Sequence, residues 1–121
     1  MIVVASIAGL RGYAYVSGYC AAKHGVVGLT RAVAQELATG GITVNAICPS
    51  FVETPLLDES VANITEKTGM SPDQALAALR EMNPQKRFVT VQEVASAAMW
   101  LCSEDARSVN GHAMSLSGGE A

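Results

Sequence analysis

Residues 17–38 read SGYCAAKHGVVGLTRAVAQELA, and the reading of this stretch decides the fold. Apolar residues at Val26, Val27, Leu29, Ala32, Val33 and Leu37 cover more than one stripe of a helix running from about Ser17 to Ala38. The small residues Ala21, Ala22, Gly25 and Gly28 leave the remaining side thin, while Arg31, Gln35 and Glu36 supply a narrow polar strip. A helix apolar on more than one face is buried between a sheet and a second body, here read as the same helix of another subunit. Two short β-branched runs flank it: Ile2 to Ala5 before, and Ile42 to Ile47 after the Thr39-Gly40-Gly41 stop. Continuous apolar runs of this length suit strands covered on both faces of a parallel sheet.

The rest of the chain continues the alternation. Pro49 closes the second strand, and a weaker pattern from Leu57 to Asn83 holds helices at about Asp58–Lys67 and Pro72–Met82. Ser71 is the expected cap of the latter. Gln85-Lys86-Arg87-Phe88 is a polar connector, read as an anion contact or as a solvated, salt-bridged turn. Thr90 and Glu93 fit a capping box that opens a helix from Val91 to Cys102, with Trp100 assigned to the core. A third strand spans His112 to Leu116. The order of strand, helix, strand, paired helices, helix, strand predicts an α/β fold with a parallel sheet.

Composition narrows the function. In 121 residues, 50% are hydrophobic and the net charge is −3, which excludes a basic nucleic-acid footprint and leaves no attraction to an anionic membrane. No apolar run approaches the ~20 residues of a membrane span. Met1 leads directly into IVVAS, so no signal peptide is expected. Cys20, Cys48 and Cys102 are odd in number and lack any C-x-x-C, which suits reduced thiols in the cytoplasm; with His24 and His112 they form no metal-ligand spacing.

Chemistry concentrates at Tyr19 and Lys23, one helical turn apart and therefore on one face. Such a pair is often only an aromatic stem beside a solvated charge. It becomes functional where the ammonium favours the phenolate and brings a phenol of ordinary pKa about 10 toward neutrality. Ser6, at the carboxyl end of the first strand, is placed where open α/β sheets bind ligands, and its hydroxyl could hold the oxygen of a carbonyl that Tyr19 protonates. This is a constellation for carbonyl–alcohol interconversion.

Five blocks in order, VVASIAG, GYCAAKHGVVGLTRA, GITVNAICP, FVETPL and SVNGHAMSLSGG, resemble the C-terminal half of a short-chain dehydrogenase/reductase. The resemblance implies that residues 1–121 are part of one doubly wound Rossmann-like domain, with a substrate lid at about 53–88. It implies Ser6, Tyr19 and Lys23 as catalytic residues, with Tyr19 as general acid or base. Tyr19, Lys23, Pro49, Ser50, Val52 and Thr54 would hold NAD or NADP, and Phe51 would join Ser6 and Tyr19 at the substrate. Three departures stand out. Ser50 occupies the family's glycine position, Ser117 replaces its aspartate before Gly118-Gly119, and the Gly-rich phosphate loop and active-site asparagine belong upstream of this chain. The first strand is therefore expected to leave an unpaired edge, and the chain alone is expected to bind NAD(H) weakly.

The lid resembles those of enzymes acting on 3-hydroxyacyl or 3-oxoacyl thioesters, with free 3-hydroxybutyrate as the alternative substrate. The family pattern implies a homo-oligomer, dimer or tetramer, acting on a small molecule. A non-catalytic partner subunit is the competing reading, favoured by the missing nucleotide loop and opposed by the retention of Ser6, Tyr19 and Lys23.

Overall fold

The computed structural model describes all 121 residues. Strands β1 (Ile2–Val4), β2 (Asn45–Pro49) and β3 (Ala113–Leu116) form a parallel sheet in the order β1-β2-β3. Helix α1 (Ser17–Leu37) joins β1 to β2. Helices α2 (Pro55–Thr68), α3 (Pro72–Met82) and α4 (Val91–Leu101) lie between β2 and β3.

β2 is the central strand, and residues 44–48 are almost wholly removed from solvent. Ala46 and Cys48 pack with Ala5 and Val27 against α1. Ile47 has the opposite parity and is also fully buried, and α4 packs against β2, so both faces of this strand are covered. The ladder starts three residues later than the apolar run suggests and extends through Pro49. Asn110 is the reason: its side chain accepts from Val44 N–H at 2.9 Å and donates to the Ala34 carbonyl at 2.9 Å, satisfying the backbone before strand pairing begins. Buried Asn45 completes the tie, donating to the Val109 carbonyl at 2.8 Å and accepting from His112 N–H at 2.9 Å.

Two expectations are corrected. β1 is not covered on both faces: Val4 is 61% exposed, on the face opposite Ala5, where α4 packs over β2 instead. Trp100 is 45% exposed rather than core. The inward stripe of α4 is Val94, Ala97, Ala98 and buried Leu101, at helical spacing, which turns Met99 and Trp100 outward. On α1 a single stripe of Cys20, Val27, Thr30 and Ala34 is buried, while Leu29 and the neighbouring small residues face outward.

Residues 53–88 form an excursion with its own core. Leu57, Leu79 and Phe88 pack together with Phe51, Val61, Ile64 and Leu76. The two ends of the excursion are joined: Val52 bridges Val89, Glu53 N–H donates to the Val89 carbonyl, and Val89 N–H donates to the Phe51 carbonyl, both at 3.0 Å. α2 begins at Pro55, whose fixed φ suits a first helical position, and so starts three residues earlier than the sequence pattern suggests. Ser71 and Thr90 both form complete capping boxes, with Gln74 and Glu93.

Candidate functional site

β1 ends at Val4, and Ser6 directs the chain into a 3-10 turn over Ile7–Gly9. The Ser6 hydroxyl caps that turn, accepting from Ala8 N–H at 3.1 Å. Gly9 brings this turn against α1. A Cβ at this position would lie 2.6 Å from the Lys23 carbonyl oxygen, so only glycine permits the approach. The turn carrying Ser6 is thereby seated on the turn carrying Tyr19 and Lys23.

Tyr19 and Lys23 share one face of α1, with the Lys23 Nζ 5.6 Å from the centre of the Tyr19 ring. Tyr19 is 49% exposed. Neither its hydroxyl nor the Lys23 ammonium forms a hydrogen bond or ion pair within the chain. By contrast, two neighbouring polar groups of α1 are satisfied within the helix: Thr30 donates to the Val26 carbonyl at 2.8 Å, and His24 Nδ1 meets the Cys20 carbonyl at 2.9 Å. Beneath the site, burial pushes the Cys48 thiol up, leaving a neutral core side chain beside the Ser6 backbone.

The segment after β2 leaves the sheet at the same end as Ser6, since Ala5 N–H donates to the Ile47 carbonyl at 2.8 Å. Pro49 is the last paired residue of β2, opposite Leu116. Val52 lies at the neck of the excursion, and Thr54 Oγ1 donates to the Val52 carbonyl at 3.4 Å. Phe51 packs into the apolar cluster of the excursion. Lys86 and Arg87 are engaged in the salt-bridged form of the connector: Lys86 pairs with Glu81 at 2.9 Å, and Arg87 grips Glu93 through both guanidinium nitrogens at 2.8 and 2.6 Å.

The structure adds a group absent from the sequence reading. Glu120 accepts from the Tyr13 hydroxyl at 2.5 Å through Oε1 and from Ser50 Oγ at 2.8 Å through Oε2, and its carbonyl accepts from Arg11 Nη1 at 2.9 Å. Burial, then the hydrogen bond to Glu120, raises the Tyr13 phenol above the ordinary tyrosine range, so it stays a donor. No local pattern links residues 107 positions apart; the one available signal was a serine where the resembling family carries glycine.

Known proteins share this arrangement of elements. The family described as "Enoyl-(Acyl carrier protein) reductase" matches residues 1–120. A D-beta-hydroxybutyrate dehydrogenase of Rhizobium meliloti (strain 1021) is 40% identical over 120 residues, covering 98% of this chain and 46% of that protein. An actinorhodin polyketide ketoreductase variant solved with NADPH superimposes with a TM-score of 0.93 at 36% identity, over 98% of this chain and 46% of that one. A 4-hydroxyisoleucine dehydrogenase complexed with NADH gives a TM-score of 0.83 at 27% identity, over 99% and 46% of the two chains. The chain thus spans about half the length of the proteins it matches.

Proposed function

The chain belongs to the short-chain dehydrogenase/reductase family, and from that premise we propose that it carries the proton-handling half of an NAD(P)-dependent oxidoreductase interconverting a secondary alcohol and a ketone. The observation that carries this reading is the Tyr19–Lys23 pair, which shares one face of α1 with both polar tips free of partners within the chain. Tyr19 gives a proton to the carbonyl oxygen in reduction and takes it from the hydroxyl in oxidation. Lys23 supports the phenolate and holds ribose hydroxyls. Ser6, whose oxygen accepts from Ala8 N–H, keeps its O–H to donate to the substrate oxygen.

The residues fit the nicotinamide half of a dinucleotide. Lys23 offers a free ammonium, and Pro49, Ser50, Val52 and Thr54 line the segment leaving the same sheet end. A bound nicotinamide supplies or accepts the hydride, and the protein contributes position and proton transfer. We assign the adenine half to the remainder of the protein, since the chain spans about half the length of the proteins it matches. The actinorhodin ketoreductase was solved with NADPH and the 4-hydroxyisoleucine dehydrogenase with NADH, and the proposal takes NAD or NADP alike.

For substrate we favour a 3-hydroxyacyl or 3-oxoacyl thioester. A free 3-hydroxy acid needs a cation for its carboxylate, and the two connector cations are already held by Glu81 and Glu93. In the complete protein, turnover of acetoacetyl-CoA should exceed that of acetoacetate; a strong preference for the free acid would reverse the assignment to 3-hydroxybutyrate. The excursion at 53–88 is then the substrate lid, with Phe51 at its base. The outward face of α1, where Leu29 is 64% exposed, supports association into a homo-oligomer, and three unpaired cysteines suit the reducing cytoplasm. No helix is long and apolar enough to cross a membrane.

The decisive experiment replaces Tyr19 by Phe in the complete protein. Turnover should fall about 10²–10⁴-fold, the usual range for losing a general acid or base, with cofactor affinity nearly unchanged. Retained turnover would defeat the assignment of Tyr19 as the acid–base group, and an unmodified complete protein without turnover would leave the non-catalytic partner subunit.

A further inference from the structure

Two separate walls meet at Glu120, and a third seats the segment that bears it. The loop between the Ser6 turn and α1 is the first. Residues 12–15 make one hydrogen bond to the rest of the molecule, from the Tyr13 hydroxyl to Glu120. The same loop carries Tyr15 in the left-handed region, at φ 69°, a strained state for a non-glycine residue that needs an external hold. The second wall is the segment leaving β2, held by Ser50, whose N–H donates to the Leu116 carbonyl at 3.0 Å and whose hydroxyl donates to Glu120. The third is the end of the lid. Gly118 adopts φ 62°, and a Cβ there would lie 2.0 Å from buried Asn83 Oδ1, so the segment bearing Glu120 is seated against Asn83.

We propose that Glu120 is a positioning residue for the alcohol–ketone site: its carboxylate ties Ser50 to Tyr13, fixing the spacing between the cofactor-side segment after β2 and the loop joining Ser6 to Tyr19. The inference rests on the oxidoreductase reading given above. It also accounts for Ser50. A side chain at a position where the family carries glycine is drawn aside by a hydrogen bond to Glu120 at 2.8 Å. Both oxygens of one carboxylate are occupied, each by a hydroxyl from a different wall, which is a bridge and not a surface contact. Arg11 secures the same residue from its backbone side at 2.9 Å and stacks its guanidinium over the Tyr13 ring at 5.1 Å.

The test uses the complete protein carrying Glu120→Ala, Glu120→Gln, Tyr13→Phe and the Glu120→Ala/Tyr13→Phe pair. Glu120→Ala should lower kcat/KM about tenfold, chiefly through a higher KM for the cofactor, as a small displacement of a positioning wall does. Glu120→Gln should recover to within about threefold, because an amide can accept from one hydroxyl and donate to the other. The double variant should lose no more than Glu120→Ala alone, since both changes cut one link. Hydrogen exchange supplies a readout independent of turnover: Glu120→Ala should speed exchange in residues 9–17 and 50–54 together. Faster exchange confined to residues 117–121, or an unchanged cofactor KM, would overturn the bridge. An unmodified protein with no turnover at all would instead defeat the oxidoreductase reading, with the exchange comparison still deciding the bridge.

Discussion

The sheet end at α1 and the lid handle polar groups in opposite ways. In the connector that ends the lid, charges are satisfied at home: Lys86 meets Glu81, and Arg87 meets Glu93, which also caps α4. At the sheet end, Tyr19 and Lys23 sit over a core of Ala5, Val27, Ala46 and Cys48 with their polar tips unpartnered. The scaffold thus bears the groups that must meet another molecule, while the lid bears groups that hold its own shape. A rigid base under an unsatisfied pair is what preorganised proton transfer requires. The lid needs only a core of its own and a closed neck, which Leu57, Leu79, Phe88 and the Val52–Val89 bridge provide.

This contrast can be broken at graded cost. The largest effect is the loss of turnover in Tyr19→Phe, which touches function and spares stability. Leu79→Ala comes next. Leu79 is 7% exposed in the lid cluster, and such a truncation costs roughly 2–4 kcal/mol. A denaturant midpoint shift should accompany it, and because the cluster is separate from the core beneath Tyr19, the KM for substrate should rise more than kcat falls.

Gly9→Ala attacks the scaffold side. Its Cβ would meet the Lys23 carbonyl at 2.6 Å, forcing the Ser6 turn away from α1 at a cost of about 1–3 kcal/mol. Here kcat should fall more than the substrate KM rises, the reverse of the lid variant. Equal kinetic splits in the two variants would erase the distinction between base and lid.

The smallest effect is electrostatic. Arg87, with help from the Thr90 backbone, lowers the Glu93 carboxyl from its ordinary value near 4.5 to about 2. A depressed carboxyl adds stability above its unfolded pKa and loses it as pH falls through the folded one. Glu93→Gln should therefore be less stable than the parent by a constant amount above about pH 5, with the gap closing toward pH 2. Acid-unfolding curves that stay parallel down to pH 2 would remove the lid's self-satisfied pair from the comparison. The pair is half-exposed, so salt should also shrink the gap.

Much of this was legible in the residues because it is local. Ser71-Pro72 and Thr90…Glu93 announce their helix starts through side chains that reach only three residues along the chain. Tyr19 and Lys23 share a face through helical spacing alone. Trp100 is misplaced when its own hydrophobicity outweighs its position: four residues after Ser96 and seven after Glu93, it lies on the polar face of α4, away from the stripe that ends at Leu101. The start of β2 was misplaced because Asn110, far along the chain, supplies the bond that the apolar run appeared to want from a neighbouring strand.

Sequence alone determined the β–α alternation and the shared face of Tyr19 and Lys23, since periodicity, caps and one-turn spacing are written within a few residues of each other, and five motif blocks carried the family resemblance. Only tertiary structure decided that Gly9 seats Ser6 against Lys23, that the lid closes on Val52 and Val89, and that Glu120 joins Ser50 to Tyr13. Those contacts join residues distant in the chain, and no local preference encodes which distant partner a carboxylate, a glycine or an open strand end will meet.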